Sequence, residues 1–301
     1  MTTVPATAPG DAWVRSMPVV FVLIWSTGFV VARLAMPHAP PMGFLAWRFA
    51  LSVGLFLLWV ALARAAWPQS RVQILHLAVT GVLMHGGYLG GVWAAVKLGL
   101  GAGTAALIVG LQPLLTAVWM SLQGPAHRVL PRQWVGLVLG LAGLMLVVYH
   151  RLGAGQAEAG NLALALMALA SITIGTLYQK RWVAPCDVRT AAVVQLLAAF
   201  VVTAPLALLE TEAMRWHPDL LIAMAWSVIA LTLGGSSLLY LLIQRGAATR
   251  VSSLMYLVPP CTAVLAWMLF DEAITPLVIG GMALTAVGVG LVLRESGRPT
   301  G

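Results

Sequence analysis

Pro41-Met-Gly-Phe-Leu-Ala-Trp-Arg-Phe-Ala-Leu-Ser-Val-Gly-Leu-Phe-Leu-Leu-Trp-Val-Ala-Leu-Ala-Arg64 is one apolar run whose only interior charge is Arg48. A helix of about 20 predominantly apolar residues crosses the roughly 30 Å of hydrocarbon in a bilayer. Nine further runs of this kind surround it, at 17–36, 72–96, 101–122, 131–149, 161–180, 190–209, 219–243, 249–270 and 275–293. Hydrophobic residues make up 60% of the 301 and charged residues 9%, against about 25% charged in soluble domains. The runs are too long and uninterrupted for the alternating, roughly ten-residue strands of a membrane barrel. They predict an all-α integral membrane protein of ten transmembrane helices, with no room for a soluble catalytic domain.

The net charge of +8 does not mark a nucleic-acid binder, because the basic residues sit singly in short loops and form no stripe that tracks phosphates. They read as topology signals. An even number of spans puts Arg15, Arg64, Arg71, Arg128, Arg132, Lys180, Arg181, Arg189, Arg245, Arg250, Arg294 and Arg298 on one side. Arg33, Lys97, Arg151 and Arg215 fall on the other. The positive-inside rule makes the first side cytoplasmic. The tails 1–16 and 294–301 then both face the cytoplasm of a multi-pass inner (plasma) membrane protein. Met17–Met36 is long for the apolar part of a signal peptide, so it is expected to stay as the first helix. Cys186 and Cys261 have no metal-ligand spacing and receive no role.

The two halves of the chain resemble each other. Leu111-Gln-Pro-Leu-Leu-Thr-Ala-Val118 aligns with Leu257-Val-Pro-Pro-Cys-Thr-Ala-Val264, Gly28 with Gly175, and Gly136 and Gly143 with Gly281 and Gly288. Residues 17–150 and 151–293 would each hold five helices. An odd number flips the second unit, giving inverted repeats, a plan common in secondary transporters that bind substrate between the repeats near the midplane.

Several stretches together resemble the EamA family of the drug/metabolite transporter superfamily. They are Ile24-Trp-Ser-Thr-Gly-Phe29, Trp47-Arg-Phe49, the segment from Leu239 through Arg245-Gly-Ala-Ala-Thr-Arg250 to Val258-Pro-Pro260, and Trp267-Met-Leu-Phe-Asp-Glu272. The resemblance covers roughly 17–293. It implies ten helices, cytoplasmic termini, a central cavity lined by the first four helices of each repeat, and movement of small organic solutes, commonly outward. The family often carries Glu after the fourth helix of each repeat. Glu272 fits that place in the second half, whereas His127 stands there in the first, and the residue reads as a helix-connection group.

Every Asp and Glu falls in a tail, a loop or a helix end, so no carboxylate relay is expected within the membrane. His85 in the third run is the mid-helix group that titrates near neutrality. It is either a cavity-facing donor or a neutral histidine satisfied by a neighbouring helix. Arg48 lies roughly 10 Å inside its run at 1.5 Å per residue. It either meets a substrate carboxylate or snorkels to the interface and caps loop carbonyls; its repeat equivalent is Gln195. Pro113, beside Gln112, and Pro259 with Pro260 occupy matched places in the two halves. They predict kinks that serve gating or binding. Trp25, Tyr88, Tyr178, Ser236, Tyr240 and Tyr256 complete the candidate cavity lining, as aromatic and hydroxyl groups at helical spacing suit a mixed polar and apolar solute. The same groups also serve as interhelical glue.

No Gly-x-Ser-x-Gly, His-Glu-x-x-His or P-loop spacing is present, and neither a cofactor nor a catalytic set is expected. The partners implied are a small-molecule substrate and the lipid bilayer; oligomeric state is left open, with a monomer sufficient. The expected function is export of small metabolites, amino acids first, by alternating access. A drug or other metabolite carrier working in either direction, a membrane sensor and an intramembrane enzyme are the alternatives.

Overall fold

The computed structural model describes residues 9–122, 131–153, 158–235, 238 and 257–293. Among the described residues the regular structure is helical throughout. The helices are α1 (Pro9–Ala35), α2 (Pro41–Ala63), α3 (Arg71–Lys97), α4 (Ala102–Val109), α5 (Gln112–Leu122), α6 (Pro131–Gly153), α7 (Ala159–Trp182), α8 (Val188–Leu208), α9 (Pro218–Gly235), α10 (Val258–Phe270) and α11 (Pro276–Leu293). Five of them, α2, α3, α7, α8 and α9, are long and apolar enough to cross a membrane, and shorter apolar helices accompany them.

The outer surface is apolar, and small hydroxyl side chains join the apolar core. Leu62, Val138, Met145, Val201, Ile229 and Met268 point outward, as they would into lipid. Ser26, Ser52, Thr80, Thr190, Ser227 and Thr262 are fully buried. With lipid outside, helix association depends on close packing and interhelical hydrogen bonds more than on the hydrophobic effect.

The contacts between the halves survive exchange of the halves. α2 packs on α8, and α6 on α11. α1 packs on α9 and α10, while α7 packs on α3 and on α4 and α5. α3 touches α8 as α2 touches α9. The α6–α11 seam is made by glycines. A Cβ at Gly143 would collide with the Gly281 carbonyl and with Thr285, and one at Gly288 would collide with the Gly136 carbonyl.

Two helices differ from the sequence-based expectation. α1 starts at Pro9, eight residues before the apolar run, because proline is favoured at a first helical position and a helix already nucleated extends at little cost. The run 101–122 is broken at Gly110–Leu111, where Leu111 N–H turns to the Ile108 carbonyl at 3.1 Å. Pro113 is therefore in the first turn of α5, where its missing N–H costs no helical bond. Pro259 and Pro260 likewise sit in the first turn of α10. Pro113 thus follows a break midway along its run, where the sequence predicted a kink, while the residues just before Leu257 lie outside the described ones. The two starts face each other, since a Cβ at Gly110 would lie 3.1 Å from Pro259 Cγ.

One end of the bundle is tied across the halves by loop carboxylates. Glu210 accepts from the N–H groups of Met42 (3.0 Å) and Gly43 (2.8 Å) at the start of α2. Glu272 accepts from Ala102 N–H at 2.9 Å, capping α4. Lys97 donates to the Met36 carbonyl at 2.8 Å and pairs with Glu212 at 2.6 Å. At the other end, Thr190 donates to the Ala66 carbonyl at 3.0 Å and Gln73 to the Ala184 carbonyl at 3.0 Å. There the Arg189 guanidinium beside Asp187 holds its carboxyl below the usual carboxylate range.

Gly143→Ala should lower the thermal stability of the detergent-purified protein by about 1–3 kcal/mol, the usual cost of overpacking. Gly54→Ala, where a Cβ meets nothing within 4 Å, should cost nothing. Equal melting of both variants would remove the close-packed seam.

Candidate functional site

Two wide helical turns define the site. α3 passes through a π-turn at Val82–Gly87, and α9 through one at Ser227–Gly235. Such turns insert an extra residue into an α-helix and free backbone groups, and they concentrate at functional places. They occupy matched positions of the two halves; the first carries His85, and the second carries Thr232 at the matching place, with Ser227 at its start. The offset from His85 to Thr232 is 232 − 85 = 147, the same as from Gly28 to Gly175.

Each of these side chains is met from the opposite half by the same position of a second helix. Arg48 on α2 donates through Nε (3.4 Å) and one terminal nitrogen (3.2 Å) to Thr232 Oγ1 on α9. Gln195 on α8, again 147 residues on, brings its side chain beside His85 on α3. Both second helices carry their polar residue seven positions past their first residue, about 10 Å in. Thr232 and His85 lie fourteen positions into α9 and α3, about 21 Å in. The pairs therefore sit deep in the bundle, at the seam between the halves.

The freed backbone groups of the π-turns are used. Thr232 Oγ1 donates to the Ser227 carbonyl at 2.8 Å. Ser171 on α7 donates to the Leu83 carbonyl at 3.0 Å, and its side chain packs so tightly on Gly87 that a Cβ there would collide with it. This close approach requires the glycine.

Arg48 is 7% exposed and is the one charged side chain in the buried set among the described residues. No carboxylate among the described residues pairs with it. Tyr88 lies within electrostatic range of Arg48, and Phe49 meets His85 edge-on with ring centroids 6.3 Å apart. Ser52, one turn along α2 from Arg48, and Ser227, opening the α9 π-turn, are 0% exposed, and their hydroxyls have no partner among the described residues. Buried polar atoms are rarely left orphaned unless water or a ligand serves them.

The structure thus groups Arg48, His85 and Tyr88 with Thr232, which shares a helical face with Ser236 and Tyr240 by its spacing of four in the sequence, and it adds Gln195, Ser52 and Ser227, which were not among the candidate lining residues. Trp25 is half-buried on α1 beside Gly235 of the α9 π-turn. Gln112 donates to Thr176 at 2.9 Å, tying α5 to α7. Tyr178 is elsewhere: its hydroxyl bonds to His76 Nδ1 at 2.7 Å, two turns nearer the start of α3 than His85. Ser236, Tyr240, Tyr256 and His127 lie outside the described residues. Glu272 is a helix cap, as expected of a connection group. A constant offset of 147 between polar residues was the signal that could have paired His85 with Thr232 beforehand; nothing in the sequence marks a π-turn.

The EamA-like transporter family model matches residues 12–149 and 160–294. The uncharacterized inner membrane transporter YedA of Escherichia coli is 28% identical over 253 residues, covering 81% of this chain and 78% of that one. The uncharacterized transporter YvbV of Bacillus subtilis is 25% identical, covering 91% and 90%. A probable amino-acid metabolite efflux pump of Salmonella typhimurium is 21% identical, covering 93% and 96%. One solved crystal structure shares the fold, with a TM-score of 0.65 at 22% identity over 91% of this chain and 94% of its own.

The two matched pairs should differ in energy because only one contains an ion. Thr232→Val should cost about 1.5–3 kcal/mol of stability, as expected for a hydrogen bond to a charged group, while Thr232→Ser costs far less. Gln195→Leu should cost about 1 kcal/mol, as for a neutral pair. Thermal unfolding in detergent measures both; equal costs would contradict the assignment.

Proposed function

The chain belongs to the EamA-like transporter family, and from that premise we propose that it exports small carboxylate-bearing metabolites, amino acids first, by alternating access. The observation that carries this reading is Arg48, a buried guanidinium with a hydroxyl for a partner and no anion among the described residues. An uncompensated buried charge costs several kcal/mol. A substrate carboxylate arriving at the seam removes that cost, and the terminal nitrogen not engaged with Thr232 is available to it. The Ser52 and Ser227 hydroxyls and the Tyr88 ring supply further contacts for a small zwitterion. The printed description of the Salmonella typhimurium relative, an amino-acid metabolite efflux pump, agrees with this chemistry.

The proposed frame is ten spans in two inverted five-helix repeats, residues 17–150 and 151–293, with both tails cytoplasmic. Contacts that survive exchange of the halves and the paired π-turns support it. In such a frame the α2–α9 and α3–α8 contacts exchange roles as the halves rock, each opening one face in turn. A ligand shifts this equilibrium only through its differential affinity for the two states. A cation at the seam disfavours cationic drugs as cargo.

With no carboxylate in mid-membrane, transport should run as facilitated diffusion or exchange. Proteoliposomes loaded with unlabelled amino acids should accumulate radiolabelled amino acid by counterflow without a pH gradient, and Arg48→Ala should slow this at least about tenfold, the loss of one charge-assisted contact. An absolute need for a proton gradient, or an Arg48→Ala variant that transports normally, would contradict the reading.

A further inference from the structure

Away from the seam, the connection between α1 and α2 meets the start of α9 from the other half. His38 and His217 stack face to face, with ring centroids 4.3 Å apart and planes 9° apart. Asp219 stands beside both, its Oδ2 lying 3.3 Å from His217 Nδ1 and 3.7 Å from His38 Nε2. One ligand atom from each residue falls within 4.8 Å of the others. The chain holds them there firmly: Arg215 N–H donates to the His38 carbonyl at 2.8 Å, and Glu210 and Lys97 tie the same two connections.

His217 Nδ1 accepts a hydrogen bond from the Asp219 backbone N–H at 3.3 Å. A nitrogen that accepts carries a lone pair, so the ring proton is on Nε2. That lone pair then faces a carboxylate oxygen, and the two acceptors repel unless a cation stands between them. A proton on Nδ1 would face Asp219 favourably but would forfeit the bond from the backbone. A metal ion on Nδ1 would take the lone pair that the backbone N–H now uses, and in exchange would place a cation between the ring nitrogens and the carboxylate.

We propose that His38, His217 and Asp219 form a site for a divalent transition metal of the zinc type. Two neutral imidazoles and one carboxylate are a ligand set that zinc accepts, with water in the fourth position. Ligands about 2.0 Å from a tetrahedral ion lie about 3.3 Å from one another, so the widest separation must close by about 1.5 Å. His38 and Asp219 are half-buried and His217 is exposed, so side-chain rotation can supply this. The ion clasps the first half to the second at this face. Where the halves rock apart, a bound ion holds the face shut, a consequence that rests on the transport reading.

The test is calorimetric titration of zinc chloride into the full-length, tag-free protein in detergent. It uses no substrate, so it stands apart from the transport reading. About one zinc per chain should bind, and His38→Ala and His217→Ala should each weaken binding at least about tenfold, the scale seen on disturbing metal sites. Zinc should also raise the melting temperature of the wild type and not of these variants, each shown by size exclusion to be folded. Absence of zinc binding, or unchanged affinity in either histidine variant, overturns the proposal.

Discussion

A guanidinium held inside an apolar bundle without an anion is the constraint around which the rest is arranged. Burying a charge is costly unless it is paired and hydrogen-bonded, and among the described residues Arg48 has the Thr232 hydroxyl for a partner and no carboxylate. The carboxylates that might have neutralised it are spent at the helix ends. Glu210 caps α2, Glu272 caps α4, and Glu212 binds Lys97. Stability is thus assured at the rim while the seam is left with an unmet charge, which is the usual condition of a binding site that expects a charged ligand.

The halves are alike in backbone and unlike in chemistry. Both carry a π-turn at the same place, and both π-turn side chains are reached from the other half by position seven of a second helix. One of those reaching residues is Arg48 and the other Gln195. The unlike side chains put the charge in one of the two matched places only. The α6–α11 pair stands apart from this seam, zipped by Gly143, Gly281, Gly136 and Gly288, and its rigid contact suits a frame and not a moving part.

Much of the fold was legible because hydrophobic runs and matched glycines are local signals. The apolar runs predicted helices where helices stand, and the alignment of Gly143 with Gly288 and Gly136 with Gly281 foreshadowed the α6–α11 seam. Arg48 and His85 stood out as polar residues in apolar runs. The π-turns did not, since a widened turn depends on what packs beside it, here Ser171 against Gly87. The break expected at Pro113 falls just before it, at Gly110–Leu111, which leaves the proline in a first turn. Tyr178 looked like cavity lining by helical spacing, yet its partner His76 comes from another helix. His38, His217 and Asp219 carry no spacing motif because the first lies in the other half of the sequence.

The account turns on whether Arg48 answers a carboxylate. The direct measurement is competition against a radiolabelled amino acid that the protein exchanges in proteoliposomes, using the unlabelled acid and its carboxamide, which differ at that one group. The account predicts that the carboxamide competes roughly 100-fold more weakly, as loss of a charge-assisted contact implies, and that the gap closes in Arg48→Gln. Equal competition by acid and amide in the wild type would contradict it.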